Sequence, residues 1–165
     1  ISNWSDFSKA ILTFLMISGG CVGSTSGGIK ILRTLVLLKL SNYEIMRAIL
    51  PERAVVPFKI RGKVLEDEEI LRIASFFFLY ISIVFISSLI ISMWGYNFLD
   101  TIFVTSSAQG NVGLGSLTPE KWLTMPSPAK SILIFEMWIG RLEIFPALAL
   151  ISSLLIVSRR ERTST

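Results

Sequence analysis

The chain has 165 residues, 52% of them hydrophobic and 17% charged, with a formal net charge of +4 and a mean hydropathy of +0.64. An average globular domain is less apolar, and here the charges cluster between and after long apolar runs. That is the pattern of a membrane protein, not the basic face of a nucleic-acid binder. The absence of histidine removes Ser-His-Asp triads, histidine metal ligands and histidine proton relays together. The single cysteine, Cys21, excludes an intrachain disulfide and reads as a small semi-buried residue. The chain opens on Ile1 with no basic n-region or cleavage motif, and reads as a fragment that starts inside a repeat.

Residues 3–18 have a polar start and a short apolar run, 10–17, with Ser5 or Asp6 placed to cap a helix. The run is shorter than the roughly 20 apolar residues a bilayer span needs. It suits a re-entrant pore helix or an ordinary core helix equally. Next comes Gly19-Gly20-Cys21-Val22-Gly23-Ser24-Thr25-Ser26-Gly27-Gly28-Ile29-Lys30, with five glycines in ten residues. A helix interior does not tolerate that density, because each glycine costs about 1 kcal/mol against alanine.

Three chemistries compete for this stretch. A phosphate loop has the right spacing between Gly23 and Gly28, but Ile29 takes the lysine position and Lys30 the Ser/Thr position. A Ser-Lys nucleophile built on Ser24 or Ser26 with Lys30 needs no histidine, but nothing else in the chain supplies an oxyanion site. An ion-coordinating turn, with backbone carbonyls in place of water, is the third. It is favoured by a second copy of G-x-V-G, Gly110-Asn111-Val112-Gly113, 90 positions after Gly20-Cys21-Val22-Gly23.

Residues 29–50 read as a helix with one apolar face (Ile29, Leu32, Leu35, Val36, Leu40) and with Lys30, Arg33, Lys39 and Arg47 along it, ended by Pro51. Residues 51–69 are the most polar part, and their basic content marks them as cytoplasmic. Their acidic end, 66–69, is a solvated charge run or an N-terminal cap for the next helix. Residues 73–94 carry no charge over 22 positions, the clearest span of the chain, and Trp94 and Tyr96 end it at an interface.

Residues 98–108 form a second short helix, opened by Asp100 and running into the second G-x-V-G. Residues 117–128 read as a polar external connector. Residues 129–157 are the last long segment, and carry Glu136, Arg141 and Glu143 beside Gly140 and Pro146. Ionisable groups inside an apolar span are costly and functional unless the segment is tilted or broken so that they meet water or partners. Arg159, Arg160 and Arg162 then place the tail on the cytoplasmic side.

Gly20 to Lys30 resembles the third filter region of the Trk/Ktr/HKT potassium transporter superfamily, nearest its TrkH branch. Asn111-Val112-Gly113-Leu114-Gly115 resembles its fourth filter, Gly140-Arg141-Leu142-Glu143-Ile144-Phe145 its last transmembrane helix, and residues 51–67 its cytoplasmic link. The resemblance covers nearly the whole chain and implies an all-α membrane protein of M1-P-M2 potassium-channel-like repeats, here part of the third and all of the fourth of four. It divides the chain into 1–50 (pore helix, filter and broken M2 of repeat three), a connector 51–68, and 69–165 (repeat four). Within the last, M1 is 69–96, the pore helix and filter 97–116, the external loop 117–128, and M2 129–158 before the basic tail.

The resemblance further implies potassium contacts at Cys21, Val22, Gly23, Asn111, Val112 and Gly113. It implies a gate made by a loop around Gly27, Gly28 and Lys30 with Arg141 as a positive barrier. It implies no enzyme activity and no cofactor on this chain, with potassium as the transported substrate. Its expected partners are the lipid bilayer, a second copy in a homodimer, and cytosolic nucleotide-binding regulatory subunits of RCK/KTN, TrkA-like type; no nucleic acid is expected. The location implied is the cell (plasma) membrane, multi-pass. The filter turns are not T-V-G-Y-G, so selectivity over sodium is expected to be modest. The alternative is a non-transporting membrane scaffold whose glycines serve helix packing.

Overall fold

The computed structural model describes residues 1, 4–21, 24, 27–49, 58–60 and 62–142. Val22, Gly23, Ser26, residues 51–57 and 61 of the connector, Glu143, Pro146 and the arginine-rich tail lie outside the described residues. Six helices follow one another: α1 Asp6–Ser18, α2 Ile31–Ile49, α3 Asp67–Ser92, α4 Phe98–Gln109, α5 Pro119–Thr124 and α6 Ser127–Leu142. Between α2 and α3 lies a hairpin of two two-residue strands, β1 Lys59–Ile60 and β2 Lys63–Val64, antiparallel with Lys59 opposite Val64. This hairpin is the departure from an all-helical chain among the described residues. The Lys39 ammonium secures it to α2 by donating to Lys59 O at 2.6 Å.

The longest helix, α3, has 26 residues, about 39 Å at 1.5 Å per residue. It is long and apolar enough to cross a bilayer. Asp67, Glu68 and Glu69 fill its first turn, where carboxylates favour the positive end of the helix dipole. Its buried stripe is Phe76, Tyr80, Val84, Ser87, Ser88 and Ile91, at helical spacing. Phe78, Phe85, Ile86 and Leu89 point outward and are exposed. In a bilayer that outward face costs nothing, since lipid is as apolar as leucine; the stripe is held by close packing and polar contacts.

Two apolar clusters result. Ile29, Phe76, Tyr80, Val84 and Ile139 gather α2's approach, α3 and α6. Ile91, Val104, Leu117, Met125, Ala129 and Leu133 gather α3, α4 and α6 at the other end. The second corrects the reading of 117–128 as a plain polar connector: Leu117 and Met125 are core residues, and Pro119 starts the short helix α5 between them. The first corrects the start of α2. Ile29 is 2% exposed and lies before the helix, its N–H donating to Ile17 O at 3.0 Å, and the helix starts only at Ile31 after Lys30 at φ +71°.

Helix α4 is the centre of the arrangement, packing against α1, α3 and α6. It is buried on nearly all sides although polar, with Asp100, Thr101, Thr105, Ser106, Ser107 and Gln109 all buried. Hydrogen bonds make that tolerable for Asp100, Thr101, Thr105 and Ser107. Thr105 Oγ1 donates to Thr101 O at 3.0 Å and shares a 2.7 Å bond with Ser88 Oγ of α3.

Candidate functional site: two glycine turns at the ends of two short helices

Both short helices form as their caps dictate. Ser5 is the N-cap of α1, its hydroxyl accepting from Ser8 N at 3.3 Å, and Asn97 is the N-cap of α4, accepting from Leu99 N at 3.3 Å. Asp100 therefore does not open α4. It sits in the first turn with its side chain turned inward onto Lys9 of α1, Nζ to Oδ1 2.8 Å.

At the other end α4 runs directly into Gly110-Asn111-Val112-Gly113, and α1 ends at Ser18, with Gly19 between it and Gly20-Cys21. Helix α4 closes with a Schellman arrangement: Val112 N donates to Ser107 O at 3.0 Å and Asn111 N to Ala108 O at 3.0 Å. The residue that takes the left-handed conformation is Asn111, φ +52°. Asparagine is among the few non-glycine residues that adopt it readily. The Asn111 amide group then donates to Met137 O of α6 at 3.2 Å. Gly113 follows at φ +85°, with no atom within 4 Å of where a Cβ would stand. The outgoing limb turns back along α4: Leu114 N donates to Ser107 Oγ at 2.8 Å and Ser116 Oγ to Asp100 O at 3.3 Å.

The turn after α1 is tied down at its base. Gly19 N donates to Leu15 O at 3.1 Å, and the returning chain satisfies Ile17 O through Ile29 N and Gly20 O through Ile31 N. Gly19 and Gly28 stack backbone on backbone, a Cβ on Gly28 lying 2.6 Å from Gly19 Cα. Cys21 is exposed, not semi-buried. Ser24 N bonds back to Cys21 O at 3.0 Å.

The two turns meet. Gly27 N donates to Gly110 O at 3.0 Å. A Cβ on Gly27 would lie 2.6 Å from Gln109 O. Gly140 of α6 presses on the same peptide, a Cβ there lying 2.8 Å from Gln109 C and 3.0 Å from Asn111 Nδ2. The backbone at Gln109–Gly110 is thus gripped by glycines from two other segments. Gly110 O is engaged by this contact. A groove of about 370 Å³ opens beside the junction, lined by Leu12, Met16, Gly20, Gly27, Gly110 and Val112 among others.

Of the predicted filter residues, Asn111, Val112 and Gly113 form one turn and Cys21 belongs to the adjoining one. Val112 is 44% exposed. Of the predicted gating residues, Gly27 and Gly28 lie at the junction. Lys30 holds the strained link into α2. Arg141 is exposed on the last described turn of α6, directly after Gly140. Glu136 is fully buried one turn earlier, with the Ser87 hydroxyl of α3 as its polar neighbour and Tyr80 nearby. At the end of α4, before Gly110, Gln109 is fully buried, with neither amide atom hydrogen-bonded. Sequence reasoning missed Lys9, Ser107, Gln109 and Ser116. The detectable signal was that α4 is polar on faces that a helix in this chain has no water to meet.

No cluster of metal-ligating side chains occurs among the described residues. What the site offers a cation is backbone carbonyl oxygen, and two helix C-termini whose dipoles favour positive charge.

Comparison with known proteins agrees with this chemistry. The family model for TrkH, described as a cation transport protein, matches residues 1–157. The uncharacterized cation transporter MJ1485 of Methanocaldococcus jannaschii is 40% identical over 93% of this chain and 32% of its own length. The Trk system potassium uptake protein TrkG of Escherichia coli K12 is 37% identical over 86% of this chain and 30% of its own. The crystal structure of the potassium transporter TrkH from Vibrio parahaemolyticus superposes with a TM-score of 0.72 at 32% identity, covering 89% of this chain and 31% of that one. The chain spans about a third of the length of the curated relatives it matches. It is a mostly helical membrane protein, and it belongs to the TrkH family of cation transport proteins.

Proposed function

We propose that this chain supplies two of the four walls of a potassium pore: the third pore helix and filter turn from residues 1–50 and the fourth repeat from residues 69–165. The ion's ligands are the carbonyls of Cys21, Val22 and Gly23 in one turn and of Asn111, Val112 and Gly113 in the other. Two turns do not encircle an ion, so two more come from further chain or another subunit. The exposed stripe of Phe7, Ile11 and Phe14 on α1, with Trp4 just before it, is where further pore walls would pack. The loop at Gly27, Gly28 and Lys30 with Arg141 forms the gate below the filter. Residues 51–68 and the C-terminal tail face the cytoplasm, where a nucleotide-binding regulatory subunit docks. The working unit is a homodimer in the cell membrane.

The observation that carries this reading is the junction itself. Two short helices are each followed by a G-x-V-G sequence, and the segments after them meet where Gly27 N donates to Gly110 O at 3.0 Å. Irregular backbone at membrane depth is tolerated where it is buried in protein or lines a cavity. Membership of a family whose named members include potassium uptake proteins supplies the ion.

One observation favours the scaffold reading in part. Gly19, Gly27, Gly28 and Gly140 all stand where a Cβ would strike backbone, which is what packing glycines do. Gly113 does not fit that role, since its surroundings are open. Rubidium uptake by the complete protein, in cells lacking their own potassium uptake, separates the two. The pore reading predicts uptake above the empty-vector control; a scaffold gives none, even with the regulatory subunit co-expressed.

A further inference from the structure

The glycine junction fixes α1 to α4 at their filter ends only. At the outer ends the helices are joined by Lys9 and Asp100, 91 positions apart in sequence and 2.8 Å apart in space. Lys9 is 7% exposed and Asp100 9%. Each residue lies nine positions before the last residue of its helix, about 14 Å along the axis. Two attachments separated by that distance define how the helices cross; one attachment lets them pivot.

Asp100 has a second contact that carries the pair's position toward the filter. Its carbonyl accepts from Ser116 Oγ at 3.3 Å, and Ser116 is 2% exposed. Ser116 ends the limb that leaves Gly113, and Leu114 on the same limb is anchored to Ser107. The path from Lys9 through Asp100 and Ser116 to Gly113 therefore runs through hydrogen bonds and three residues of chain.

We propose that Lys9 and Asp100 are a positioning pair for the selectivity filter, setting the outer spacing of the two pore helices and, through Ser116, the outer limb of the fourth turn. The pair thereby tunes the preference among monovalent cations. It is neutral as a unit, so removing both charges leaves the net charge beside the pore unchanged. An altered ion preference after that change reports geometry. The inference rests on the pore reading.

Two variants of the complete protein test it. Lys9→Met with Asp100→Leu replaces the pair by apolar groups of similar size, which buried pairs commonly tolerate. Asp100→Glu keeps both charges but lengthens one arm by a methylene. Rubidium uptake gives KM, maximal rate and preference over sodium. Stabilisation of the detergent-purified protein against heat by potassium versus sodium gives ion preference without transport. Both variants are expected at wild-type levels in the membrane, with preference for rubidium or potassium over sodium lowered by about fivefold or more and maximal rate changed much less. Retention of KM and preference within about twofold in the variant that reaches the membrane overturns the proposal. No uptake by wild type, even with the regulatory subunit co-expressed, refutes the pore reading and this proposal with it, whereas uptake by wild type with preference unchanged in both variants overturns the proposal alone.

Discussion

Substituting Gly140 by alanine sets two effects of opposite sign against each other. In an isolated helix the change stabilises by about 1 kcal/mol, because alanine loses less backbone entropy than glycine. In α6 the new methyl carbon would fall inside contact distance of Gln109 O and 2.8 Å from Gln109 C. Bringing that carbon to ordinary contact near 3.4 Å requires a retreat of at least about 0.6 Å, and overpacking of this kind costs about 1–3 kcal/mol. The Asn111 to Met137 hydrogen bond, 3.2 Å, spans the same contact, and its loss adds about 1 kcal/mol. The expected net is destabilisation of about 1–3 kcal/mol, with the fourth turn displaced and rubidium uptake reduced. Thermal unfolding of the detergent-purified complete protein and uptake in cells read the two parts separately. A raised melting temperature with unchanged uptake would mean that helix propensity decides the outcome and that α6 does not grip the filter backbone, refuting the junction as described.

Three further substitutions follow from the same geometry. Gly27→Ala places a Cβ 2.6 Å from Gln109 O and 3.1 Å from Gly110 C, and should destabilise by about 1–3 kcal/mol in the same unfolding assay; an unchanged melting temperature rejects the close approach. Ser107→Ala leaves Leu114 N without its 2.8 Å acceptor. It should cost about 0.5–1.5 kcal/mol and raise the KM for rubidium, and an unaltered KM would show that the outgoing limb holds without it. Arg141→Ala should raise cation leak measured as rubidium efflux, whereas flux equal to wild type rejects Arg141 as a barrier.

The parts of the fold legible in the sequence are those written locally. An uncharged run from 73 to 94 can scarcely be anything but the body of α3, and Ser5 before an apolar run marks the start of α1. Both G-x-V-G sequences follow short helices, α1 and α4. The contacts between segments far apart in sequence were not legible. Lys9 and Asp100 look like ordinary helix-end charges until the fold brings them together. Gly140 reads only as part of the last long segment, and only the structure reveals the Gln109 peptide against it. Leu117 and Met125 were hidden by polar neighbours, since a six-residue helix is too short for a periodic pattern to register. Asn111 was singled out as an ion ligand; its left-handed backbone and its bond to α6 give it a structural duty that its position in the motif did not announce.

The most direct test of the pore account is rubidium uptake by the complete protein and its Gly113→Ser variant, in cells lacking potassium uptake of their own and supplied with the regulatory subunit. Gly113 is the clean position to probe. Its φ of +85° penalises any Cβ, but nothing lies within 4 Å to clash with one, so the cost of about 1–2 kcal/mol falls on the turn and spares the packing. The account predicts uptake by wild type, and in the variant a changed rate or a weakened preference for rubidium over sodium at equal membrane level. Strong uptake with the same rate and preference in both would contradict it, and would return the glycines of this chain to helix packing alone.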